Sequence, residues 1–90
     1  MNLHSKITVP EHVLARQVAD ETVILDLDNG HYYGLDHVGV RMWELLGSRM
    51  TLGEVCETLA REYDVSPEKL EQDLFALVQS LADAKLVTIK

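Results

Sequence analysis

The chain has 90 residues, 47% hydrophobic and 26% charged, with 15 acidic against 8 basic side chains and a formal net charge of −7. This is the composition of a folded chain, yet a domain of this size hides only about 60–65% of its unfolded surface, so its core is thin and a deep catalytic cleft is not expected. The acidic balance opposes phosphate backbones and anionic lipid and favours basic partners, so neither nucleic acid nor a membrane surface is expected to bind.

The first ten residues end in Pro10 and read as an irregular or short extended arm. They lead into one domain spanning residues 1–90, with its core over residues 13–88. Val13 to Val18 (VLARQV) is apolar and β-branched enough for a first strand, followed by a turn at Ala19-Asp20-Glu21. Thr22 to Leu27 alternates, with Val23, Leu25 and Leu27 on one face and Ile24 and Asp26 on the other. Asp28-Asn29-Gly30 then predicts a hairpin into a short aromatic strand, His31 to Leu35. A two-residue Asn29-Gly30 turn would set Leu27 opposite Tyr32. A three-residue loop with Gly30 left-handed would set Leu27 opposite His31 and Leu25 opposite Tyr33. The second register is preferred, because it gathers Val23, Leu25, Leu27, Tyr33 and Leu35 on one buried face.

Periodicity switches to helical after Asp36, a good N-cap, with Val38, Met42, Leu45 and Leu46 at helical spacing and Gly47 as the stop. Trp43 is expected to pack in the core beneath the sheet. Thr51 and Glu54 form a capping box for a second helix with a stripe of Leu52, Val55, Cys56 and Leu59. Tyr63 follows before a break at Asp64-Val65. Ser66-Pro67 opens a third helix, whose stripe of Leu70, Leu74, Leu77 and Leu81 is widened by Phe75, Val78 and Ala82. A stripe that wide covers two surfaces, or one surface and a ligand. Leu86 to Ile89 closes the chain as a short strand or extended tail. The expected fold class is therefore α+β, a three-stranded antiparallel sheet followed by three helices in a winged helix-turn-helix-like arrangement.

The free edge of the His31 to Leu35 strand, closed on one side by a helix, is a place to receive an extended peptide. Tyr32 and Tyr33 point to opposite faces, one inward and one toward a partner. Gly34 leaves one face of the strand without a side chain, and with Gly39 relieves crowding where strand and helix meet.

The ordered set of ILDLDNGHYYGLDHVGVRMWELL and MTLGEVCETLAREYDVSPEKLEQDLFALVQSLADAKLV resembles the PqqD-like family, the recognition elements of pathways that modify ribosomally made peptides (RiPPs). The Y-Y-G-L run is most similar to the discrete B1-type members of lasso-peptide biosynthesis. The resemblance covers about residues 13 to 88. It implies that the leader segment of a precursor peptide adds as an antiparallel strand to His31, Tyr32, Tyr33, Gly34 and Leu35. It also implies a cleft against the third helix, with contacts from Lys69, Leu70, Asp73, Leu74 and Leu77. The implied partner is a separate leader peptidase of the transglutaminase-like cysteine protease type. The alternative within the family is a recognition or chaperone subunit working with a radical SAM enzyme in another RiPP or pyrroloquinoline quinone pathway. An open sheet edge could also pair two copies into a homodimer.

Catalytic chemistry is not expected. His4, His12, His31 and His37 show no metal-ligand spacing, and Ser48, Ser66 and Ser80 have no evident His/Asp partners. Cys56 falls on an apolar stripe and reads as a buried structural thiol, so no cofactor is implied. A lone cysteine and the lack of any run near ~20 apolar residues fit a cytoplasmic protein that does not span a membrane. Winged helices often bind DNA, but the third helix carries Glu68, Glu71, Asp73 and Asp83 against Lys69 and Lys85, the wrong charge for phosphate.

Overall fold

The computed structural model describes all 90 residues. In chain order the elements are β1 (Ile7–Thr8), β2 (Val13–Val18), β3 (Glu21–Asp26), β4 (Tyr32–Leu35), α1 (His37–Leu46), α2 (Leu52–Glu62), α3 (Pro67–Asp83) and β5 (Thr88–Ile89). Strands β2, β3 and β4 form an antiparallel sheet in that order. This is the expected α+β, winged helix-turn-helix-like arrangement of three strands followed by three helices.

Each helix starts where a side chain can serve an orphan amide. Asp36 accepts from the Gly39 amide at 2.7 Å to open α1. Thr51 and Glu54 exchange hydrogen bonds as a capping box for α2. Ser66 accepts from the Lys69 amide, and Pro67 occupies the first turn of α3. Crowding explains Gly39, where an added Cβ would lie 3.2 Å from Asp36 Oδ1 and 3.3 Å from Leu35 Cδ2. It does not explain Gly34, where an added Cβ would meet nothing within 4 Å.

The termini are more ordered than the sequence suggests. β1 and β5 pair antiparallel as a separate two-stranded ribbon, and Lys6 and Lys90 exchange backbone hydrogen bonds beside it. Ile7, Leu86 and Val87 are buried there, so the arm and tail belong to the core.

The β3–β4 register corrects the expected one. Ile24 pairs with Tyr33 and Leu25 with Tyr32, so four residues, Leu27 to Gly30, lie between Asp26 and His31. The cause is Asp26, a buried carboxylate. Its Oδ1 accepts from the Asp28 amide at 2.9 Å and the Asn29 amide at 3.4 Å, and its carbonyl accepts from Gly30, whose φ is +76°. One extra loop residue shifts the pairing by one and exchanges the faces of β3. Ile24 and Asp26 point inward, whereas Val23 and Leu25 lie on the outer face and Leu27 is 62% exposed.

The core joins Val13 and Ile24 of the sheet to Met42, Leu45 and Leu46 of α1, Leu52, Val55 and Leu59 of α2, and Leu70, Leu74, Val78 and Leu81 of α3. Each fully buried leucine stabilises by ~1.5–3 kcal/mol. Trp43 is only partly buried, packed against this cluster. Arg41 of α1 clasps Glu62 at the end of α2, with Nε and Nη2 lying 2.7 and 2.6 Å from its two carboxylate oxygens.

Candidate functional site

The outer strand β4 pairs with β3 on one side only, leaving its other edge open within the chain. The Asp26 amide donates to the His31 carbonyl at 2.8 Å. By antiparallel alternation Tyr33 and Leu35 then direct their backbone groups toward β3. Tyr32 and Gly34 therefore turn N–H and C=O outward, offering two donors and two acceptors along the free edge.

A cleft of about 460 Å³ runs beside that edge. One wall is β4 and α1, with Tyr33, Leu35, Val38 and Met42. The opposite wall is Leu70 and Leu77 of α3, and Tyr63 and Val65 close the end at the α2–α3 junction. Asp36, Asp73 and Lys69 supply the polar margin. Lys69 Nζ lies 3.0 Å from Asp73 Oδ1, an exposed pair one helical turn apart. An apolar trough beside unpaired backbone groups suits an extended chain whose side chains alternate into it.

Of the ten residues expected at the site, Tyr33, Gly34, Leu35, Lys69, Leu70, Asp73 and Leu77 line this cleft. His31 and Tyr32 do not; Tyr32 stands 73% exposed on the opposite face of the strand. Leu74 is fully buried in the core and also lies outside the lining. Sequence reasoning missed Asp36, Val38, Gly39, Met42, Tyr63 and Val65. The first four had been accounted for by capping, crowding and core packing. Tyr63 reads as the continuation of the second helix's stripe and Val65 as part of a helix break, although Val65, an apolar residue in a polar turn, is a usable signal.

Two other groups bear on chemistry. Burial, and then the negative charge of Glu71, push the Cys56 thiol up, so its reactive thiolate is disfavoured. His12, Asp26 and Asp28 each bring one potential ligand atom within 4.8 Å of the others, a grouping that their sequence spacing hid. His12 Nε2 is 3.8 Å from Asp26 Oδ1, the oxygen that already accepts the turn amides. This cluster stands at the hairpin turn, outside the cleft lining.

The family model for coenzyme PQQ synthesis protein D (PqqD) matches residues 21–87. The chain belongs to the PqqD family. Among solved structures, TbiB1 in complex with the TbiA(beta) leader peptide is 34% identical, covering 88% of this chain and 92% of that one with a TM-score of 0.78. A lasso peptide synthetase B1 complexed with its leader peptide shares the fold at 24% identity, covering 92% and 98% with a TM-score of 0.83. No curated protein matches the chain. This PqqD-family member thus has the fold of lasso B1 proteins, and no helix in it is long and apolar enough to cross a membrane.

Proposed function

We propose that this chain binds the leader segment of a ribosomally made precursor peptide as a fourth strand on β4, and presents it to a separate processing enzyme. The observation that carries this reading is the open edge of β4 flanking an apolar cleft. Backbone groups of Tyr32 and Gly34 hold the leader, while Tyr33, Leu35, Leu70 and Leu77 take its inward side chains. Pairing of backbone alone is blind to sequence, so the cleft supplies the discrimination. The chain acts without catalysis of its own, and a lasso-type leader peptidase is the favoured enzyme. Two B1 proteins with this fold, each bound to a leader peptide, support the leader-binding reading.

The test is titration of the ¹⁵N-labelled protein with a leader peptide taken from the nearest short open reading frame, followed by amide hydrogen exchange. Saturable binding at micromolar concentration or tighter is expected, with Tyr32 and Gly34 gaining protection. His31, Tyr33 and Leu35, already directed toward β3, should change little. Binding that protects α2 instead, with Tyr32 and Gly34 unaltered, would refute strand addition.

A further inference from the structure

The outer face of the sheet carries a gap that nothing within the chain explains. Alternation sets Leu14 of β2, Val23 and Leu25 of β3, and Tyr32 and Gly34 of β4 on the side away from the helices. Gly34 lies directly across from Val23 and two residues from Tyr32. Its φ is not in the left-handed region, and a Cβ built on it meets no atom within 4 Å. Neither backbone conformation nor crowding therefore calls for glycine. Glycine inside a strand nevertheless weakens it, by losing more backbone entropy and by packing nothing. The bare position leaves Val23 half-buried and the Tyr32 ring exposed beside it.

Gly34 is also one of the two residues whose N–H and C=O face the open edge. On an added antiparallel strand, the residue hydrogen-bonded to Gly34 must carry its side chain on this same outer face. We propose that this opposing residue of the bound peptide is aromatic, and that its ring lies flat over Gly34 against Val23 and Tyr32. The inference rests on the strand-addition reading above. A ring can settle across a bare glycine backbone, where a Cβ would lift it away, and such cross-strand aromatics restore the packing an edge glycine loses. Val23 is β-branched and Tyr32 is within diagonal reach, both favourable neighbours for a ring. A carboxylate would meet the field of a chain with a net charge of −7. A small side chain would leave the same apolar surface in water.

The residues flanking the aromatic point the other way, into the cleft. The bound segment accordingly reads apolar–aromatic–apolar, its middle position selected by Gly34 and its neighbours by the trough.

The probe is a fluorescein-labelled peptide made from the N-terminal half of the product of the nearest short open reading frame. The residue opposite Gly34 is located by cross-strand nuclear Overhauser contacts in the complex. Changing that residue to alanine should weaken binding to the wild-type protein about five- to tenfold. The same change should cost under about twofold against Gly34→Thr, whose side chain occupies the gap, and an intermediate amount against Gly34→Ala. Both variants should melt as cooperatively as wild type, since the added atoms meet open space. A small or acidic residue opposite Gly34, or equal losses in all three proteins, overturns the inference while leaving strand addition standing. Failure of the wild-type protein to bind the peptide overturns the strand-addition reading, and this inference with it.

Discussion

Asp26 is a carboxylate only 3% exposed, and it decides which face of β3 looks inward. Its Oδ1 satisfies two successive amides of the following turn, and its own carbonyl accepts from Gly30. Those bonds hold a four-residue loop in place of the shorter turns that Asn29-Gly30 would allow. The consequence is that Val23 and Leu25, good core residues by type, stand on the outer face, and Ile24 takes the buried place. Asp26→Ala leaves the turn amides without their acceptor inside a partly buried loop. The loss should be about 1–3 kcal/mol, or roughly 4–8 °C of melting temperature per kcal/mol in a domain of this size. Thermal unfolding followed by circular dichroism measures it, and a midpoint within about 2 °C of wild type would show that the carboxylate does not set the turn.

At the scale of elements, α3 serves two surfaces with one stripe. Leu74 faces the core with no exposure, whereas Leu77, three residues on, is half-buried along the cleft. The two positions should therefore separate stability from recognition. Leu74→Ala should cost ~2–5 kcal/mol of stability through lost burial and the cavity left behind. Leu77→Asp should stay folded and lose less stability than Leu74→Ala, yet bind leader at least about tenfold more weakly, because a charge would stand where an apolar side chain is received. Wild-type affinity in a well-folded Leu77→Asp protein would remove the cleft from the mechanism. The width of the α3 stripe was legible in the sequence, since Leu70, Leu74, Leu77 and Leu81 recur at helical spacing. Which leucine meets the cleft was not, because that depends on how α3 lies against β4. The caps at Asp36, Thr51 and Ser66 were legible because each involves a side chain and an amide three residues apart. The β3–β4 register was not, since a buried Asp26 outweighed the apolar alternation from which register is read. Leu86 to Ile89 was legible as a short strand or extended tail, but its pairing with β1 was not, because two-residue strands are too short for any periodicity. Tyr63 and Val65 join the cleft only where the α2–α3 connection folds back over it.

Across the whole molecule, several surface carboxylates serve as acceptors, and two of them, Glu62 and Glu54, are held below the usual carboxylate range by their donors. Hydrogen bonds from Arg41, which links α1 to the end of α2, hold the Glu62 carboxyl below the usual carboxylate range, reinforced by the guanidinium charge. The Thr51 amide and hydroxyl lower Glu54 in the same direction at the start of α2. Both groups release their protons more readily in the folded chain than in the unfolded one. Their contribution is thus present above the unfolded carboxylate value, near pH 4.3, and is lost as pH falls through the lower folded values. Both pairs are exposed to solvent, so the effect is modest and shrinks with added salt. Glu62→Gln keeps the shape but not the charge. It should melt below wild type at pH 7, and the gap should narrow as pH falls below the unfolded carboxylate value and wild-type Glu62 takes up its proton. A gap that stays constant across the whole acid limb of the titration would mean that Glu62 acts through packing, and that the Arg41 clasp adds no charge-dependent stability where α1 meets α2.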